Sequence, residues 1–224
     1  MGLTQNSHKI FLTVADGKLV QKVDKDTPGA ISYEKEDKTV IYQLKHSGIE
    51  GFLIGVNVTE KEFNGKKVKQ FNFDIEDSGQ VYQLQIKYSS GYSTSLLKAL
   101  LNPDVNLALP VKITPWAKTV NDKKKTSMYL SQNGEDIKWY FTKETPNGLP
   151  EMKKVRISGE DKWDDYDMMQ YFEAQIKSEI IPNLPKVGSS GKPSSGMQPS
   201  EQFTPPSGTP VDPNNAPDED DLPF

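Results

Sequence analysis

Two groups of residues in this sequence have types and spacing that could do chemistry. The first is a basic stretch threaded with aromatics. Residues 112–156 carry ten bases against five acids, among them Lys118, Lys123, Lys124 and Lys125, and the same stretch holds Trp116, Tyr129, Trp139, Tyr140 and Phe141. Ammonium groups at that density attract a phosphate backbone. Flat rings between them stack on unpaired bases at about 1–3 kcal/mol each, with little regard to which base it is. Upstream, Asn64-Gly65 is a turn pair followed by Lys66, Lys67 and Lys69, a basic hairpin tip that leads into Phe71 and Phe73. Phe71, Phe73 and Phe141 are expected in the core. Trp116 and Trp139 flank the basic loop expected at 121–125, and alternation sends Tyr140 to the face opposite Trp139, which is expected to face a ligand.

The second group closes the sequence: Asp218, Glu219, Asp220, Asp221, Leu222, Pro223 and Phe224. An acid run capped by an apolar pair and a terminal aromatic has the chemistry of a portable ligand. Phe224 can fill an apolar pocket, its carboxylate can meet a basic side chain, and the acids can engage a basic rim. A merely solubilising tail would account for the acids but not for Leu222 and Phe224.

Catalytic chemistry finds little support. Without cysteine there is no disulfide framework, thiolate metal site or cysteine nucleophile. His8 and His46 are isolated, and helical periodicity would scatter the carboxylates of Asp164, Asp165 and Asp167 around one turn. No glycine-rich phosphate loop or nucleophile elbow occurs. The expectation is a protein that is not an enzyme, has no catalytic or metal-binding residues and needs no cofactor.

The elements that must position these groups follow from periodicity. Between residues 9 and 88, alternating runs at 9–14, 18–23, 39–44, 52–59, 68–75 and 81–88 are punctuated by turn pairs such as Asp16-Gly17 and Ser78-Gly79. This predicts an antiparallel meander. Residues 93–101 then read as one helix, with Leu96, Leu97, Leu100 and Leu101 on one side and Asn102-Pro103 stopping it. Strands are expected again at 111–116, 127–131, 137–142 and 152–157. A second helix is expected at about 159–181, with Ser158 as cap and a stripe through Trp163, Tyr166, Met169, Phe172, Ile176 and Ile180. It is expected to close over a barrel, with dimerisation as its other use. Strands, one helix, then more strands is the element order of an OB-fold barrel. The predicted class is mainly β: an enlarged OB-fold-like domain over residues 1–185 with one mid-domain helix and a C-terminal helix.

The chain has 224 residues and a formal charge of −4, yet residues 1–185 are neutral and residues 186–224 hold the whole negative balance. Residues 188–217 contain seven Pro, four Gly and six Ser, a composition with too little apolar surface to offset the entropy of ordering. A disordered linker is therefore expected at 186–217, spanning on the order of 30 Å, with the acidic tip at 218–224. No apolar run approaches a membrane span and no signal segment opens the chain, so a soluble, cytoplasmic protein without membrane contact is expected.

The ending DEDDLPF, the Gly/Pro/Ser linker before it and the β-rich body with one mid-domain helix resemble the single-stranded DNA-binding protein family. The body is longer than that of the bacterial housekeeping members and looks more like the enlarged versions encoded by bacteriophages. The resemblance implies a body that coats single-stranded DNA and a tip that recruits replication, recombination and repair proteins, in a bacterial or infected host cell. A homo-oligomer is left open. So are an RNA-binding or strand-annealing role and a protein–protein adaptor. The charge division further implies that the tip can compete with DNA for the basic groove.

Overall fold

The computed structural model describes residues 9–35, 37–63, 65–157 and 160–185. The expected linker at 186–217, the tip at 218–224, the cap Ser158 and His8 lie outside the described residues. Most of the described chain is strand: β1 (Ile10–Ala15), β2 (Lys18–Val23), β3 (Ile31–Glu34), β4 (Val40–His46), β5 (Ile49–Phe63), β6 (Lys66–Asp77), β7 (Gln80–Lys87), then helix α1 (Gly91–Leu100). After it come β8 (Val111–Val120), β9 (Lys123–Gln132), β10 (Glu135–Asp136), β11 (Lys153–Ile157), β12 (Glu160–Asp164) and helix α2 (Tyr166–Gln175). Strands β1–β10 form one mixed sheet in the order β10-β9-β8-β5-β6-β7-β1-β2-β4-β3, and β11 and β12 form a separate two-stranded ribbon.

The meander at β5-β6-β7 follows from alternation. Phe71, Phe73 and Ile75 of β6 are completely buried, as are Leu84 of β7 and Leu53 of β5 to within 1%. Each such side chain contributes about 1.5–3 kcal/mol. The meander is not antiparallel throughout, because β1 lies parallel to β7, with Leu12 beside Leu84.

Strand β5 serves two partners. Ile49–Gly51 pairs with β8, and from Phe52 onward it pairs with β6, with a register shift between Leu53 and Gly55. A Cβ on Gly51 would sit 2.5 Å from the Glu76 carbonyl oxygen, so glycine is what lets the strands approach at this bend. The sheet also curls until the β1–β2 turn meets β8. A Cβ on Gly17 would lie 2.6 Å from the Ala117 nitrogen, and the Gly17 N–H donates to the Tyr92 hydroxyl at 2.9 Å. Among the described residues no strand ladder joins β8 to β1 or β2.

Helix α1 opens on a capping box, in which Ser90 accepts from Ser93 N–H and the Ser93 hydroxyl accepts from Ser90 N–H. Leu96, Leu97 and Leu100 are buried against the sheet, as the sequence predicts. Met128 N–H of β9 donates to Ser95 Oγ at 2.7 Å and fixes the helix to that strand.

Two further sequence expectations fail. Residues 137–142 are not a strand: β10 spans only Glu135–Asp136, after which the chain leaves the sheet and sinks Phe141 into the core, 2% exposed. The helix expected at 159–181 begins only at Tyr166, because Glu160–Asp164 pairs antiparallel with β11. Its N-cap is Asp165, without a side-chain cap bond. Met169, Phe172, Ile176 and Ile180 are buried, whereas Trp163 and Tyr166 are exposed. Beyond Gln175 the helix widens into a π turn (Ile176–Ile180) and ends in a 3-10 turn containing Pro182.

Candidate nucleic-acid interface

The β8–β9 hairpin carries most of the predicted contact residues. Asn121 and Asp122 both adopt left-handed backbone, φ 48° and 60°, the conformation of a tight two-residue turn whose twist matches the strands it joins. The lysines at 123–125 are therefore strand residues and not part of a loop. In-register partners place Lys112 opposite Ser131, Thr114 opposite Tyr129, Trp116 opposite Ser127, Lys118 opposite Lys125 and Val120 opposite Lys123. Since Val111, Ile113, Pro115, Met128 and Leu130 point to the core, alternation puts these ten residues on the other face. These ten positions hold four lysines and two aromatic rings, and the registers of the flanking strands add Glu50 opposite Lys112 and Asp136 opposite Ser131 at the edges of the same face.

Three features of this face matter chemically. Lys118 and Lys125 stand directly across from each other, and like charges so placed repel. Trp116 and Tyr129 are half-buried. Burial, with a smaller effect from Asp136, pushes the Tyr129 hydroxyl above its usual value.

The remaining predicted residues have other partners. Lys124 is directed towards the β1–β2 turn, where it pairs with Asp16. That hydrogen bond and charge hold the Asp16 carboxyl below its usual range and raise the Lys124 ammonium. Lys67 pairs with Glu60 at 3.0 Å. Lys69 lies 3.5 Å from Glu173 of α2 and over the Tyr88 ring at 5.1 Å, while the Tyr88 hydroxyl donates to the same carboxylate. Burial first, then Glu173, raises the Tyr88 hydroxyl well above its ordinary value. Lys69 thus fastens α2 to the sheet. Lys66 opens β6, and its side chain lies outside the described residues. Trp139 is corrected: with no strand at 137–142, the alternation argument for a ligand-facing ring does not apply. Its ring packs against the core, with Lys98 Nζ 5.3 Å from the ring centre.

A second surface went unrecognised in the sequence. On the solvent side of β5-β6-β7-β1, Asn57, Thr59, Gln70, Asn72, Asp74, Gln83 and Gln85 form a hydrogen-bonded polar ladder. Asn72, 2% exposed, accepts from Gln70 at 2.6 Å and donates to Asn57 at 2.8 Å and Thr59 at 2.9 Å. Gln85 donates to Gln83 at 3.1 Å, Gln83 donates to Asp74 at 2.8 Å, and Lys9 reaches Asp74 at 2.9 Å. Phe11 lies in register beside Gln83 and is 55% exposed, while Lys87 stands opposite Gln70. The available signal was the run Gln70-Phe71-Asn72-Phe73-Asp74-Ile75, whose polar half is as regular as its apolar half.

Other features point elsewhere. Asp165 accepts from the Ser89 hydroxyl at 3.1 Å, Asp164 from Tyr166 N–H at 3.0 Å, and Asp167 pairs with Lys153. Among the described residues no group of three or more His, Cys, Asp or Glu is placed to hold a metal ion. An open cavity of about 740 Å³ between the α1–β8 connection and α2 includes Asp104 and Glu179 in its wall and no basic residue, a lining that repels phosphate. No described helix is long and apolar enough to cross a membrane. Compared with known proteins, the chain matches no family model, no curated protein and no solved structure.

Proposed function

We propose that this chain binds and coats single-stranded DNA without marked sequence preference, acting by stoichiometric cover and not by turnover. The observation that carries the proposal is the basic and aromatic face of β8–β9, where Lys118 opposes Lys125 beside Trp116 and Tyr129. Phosphates relieve the repulsion between the lysines, and bases stack on the rings. Duplex DNA hides its base faces, so single strands are preferred.

The topology supports an OB-like reading. In that reading β5, β6 and β7 are the first three barrel strands, α1 follows the third and β8 is the fourth. The fifth position, parallel to the third, is filled by β1 from the N-terminal side. The polar ladder then lies on the strand face that OB folds use for oligonucleotides. The segment 218–224 recruits replication, recombination and repair proteins to the coated strand.

The test is quenching of tryptophan fluorescence by oligo-dT at low salt, with duplex of equal length as competitor. Saturable quenching by oligo-dT that excess duplex fails to reverse supports the proposal. Equal binding of both forms, or of neither, rejects it.

A further inference from the structure

The β11–β12 ribbon is the part of the fold whose side chains neither the core nor the proposed strand face uses. Its register pairs Lys154 with Trp163 and Arg156 with Asp161, so Lys154, Arg156, Trp163 and Asp161 share one face. Trp163 is 47% exposed and the neighbouring Tyr166 is 65% exposed, the highest value among the described large hydrophobics. One of these exposed rings is on the ribbon and the other opens α2 beside it, and a two-stranded ribbon is marginal on its own.

Its attachment places it at one end of the strand face. Asp165, two residues beyond Trp163, accepts from the Ser89 hydroxyl at 3.1 Å, and Ser89 lies two residues past Lys87 at the end of β7. Of the nearby acids, Asp161 pairs with Lys154 at 3.0 Å and Asp167 with Lys153, while Asp164 and Asp165 accept from the Tyr166 N–H and the Ser89 hydroxyl. A strand running along the β6–β7 face and off the end of β7 would therefore meet this ribbon next.

We propose that the β11–β12 ribbon is a second platform for the same single strand, with Trp163 stacking on a base and Lys154 and Arg156 taking the flanking phosphates. The inference rests on the proposed coating of single-stranded DNA. An arriving phosphate replaces Asp161 as the partner of Lys154, and the platform adds length to the site without altering the β8–β9 contacts.

Affinity should therefore depend on Trp163 only when the strand is long enough to reach it. Oligo-dT of about 8 and about 30 nucleotides brackets the site size of an OB-type domain. Trp163→Ala should lose about tenfold in affinity on the long strand, the low end of one stacking interaction, and nothing on the short one. Trp163→Phe keeps a stacking ring and should restore most of the loss. An equal loss on both lengths, or no loss on either, overturns the ribbon's role. If Trp116→Ala still weakens both lengths in those cases, the proposed function stands without it. Absence of binding by the parent protein overturns both.

Discussion

Replacing Lys118 with Gln should move stability and DNA affinity in opposite directions. Lys118 and Lys125 face each other across the β8–β9 ladder, with Cβ atoms about 5 Å apart for such a pair. Two ammonium groups about 6.5 Å apart in water repel by about 0.6 kcal/mol, falling to about 0.3 kcal/mol at physiological ionic strength. Lys118→Gln should raise the unfolding free energy by that amount. In binding it removes one phosphate contact, so the slope of log K against log salt becomes shallower by about 0.7 for a single strand. Taking the two proteins as equal near 1 M salt, that slope difference becomes about an eightfold loss of affinity at about 0.05 M and about threefold at about 0.2 M. Urea denaturation gives the first quantity, and fluorescence titration with oligo-dT across salt concentrations gives the second. A variant that is less stable than the parent and has an unchanged salt slope would refute the reasoning, since Lys118 would then be a structural residue.

Three other outcomes follow from the same geometry. Asp16→Asn releases Lys124, so oligo-dT affinity should rise a few-fold at low salt and converge with the parent at high salt. Because Lys124 holds the Asp16 carboxyl below its usual range, the pair's contribution to stability is present above the ordinary carboxylate range and lost as pH falls through the lowered value; denaturation of parent and variant across acid pH checks this. Ser127→Ala removes a buried hydroxyl that has no hydrogen-bond partner and should stabilise by about 1 kcal/mol in urea, because an unsatisfied buried polar group is costly. Gly51→Ala forces a Cβ to 2.5 Å from the Glu76 carbonyl oxygen and should cost about 2 kcal/mol, read as a lower thermal midpoint.

The paired strands of the body were legible where one side of each was buried. The run from Phe71 to Ile75 alternates because one face meets the core, and β6 and β7 lie where that alternation puts them. Strand β3 is exposed along its whole length, and the apolar/polar alternation of Ile31-Ser32-Tyr33-Glu34 runs for only four residues, too short to stand out as a strand. The parallel pairing of β1 with β7 joins residues about seventy positions apart, and no local pattern encodes it. At 159–165 the helical stripe was a coincidence of spacing. Trp163 and Tyr166 fall three apart, but neither is buried, and cross-strand pairing with β11 decided the conformation.

The candidate interface was readable in part for a related reason. Charge and aromaticity mark Trp116, Lys118, Lys123, Lys125 and Tyr129, and strand alternation gathers them on one face. The same composition could not show that Lys67, Lys69, Lys124 and Trp139 contact distant residues, since an ion pair or ring contact of that kind depends on the fold. The amide ladder escaped because Asn and Gln alter neither net charge nor hydropathy periodicity enough to stand out beside Phe71 and Phe73.

The most direct test of the central claim is the salt dependence of oligo-dT binding by the whole chain. Four lysines on the β8–β9 face, each releasing counterions from one phosphate, predict saturable tryptophan quenching and a log–log slope of about −3. No saturable binding at low salt, or an affinity indifferent to salt, would contradict the account.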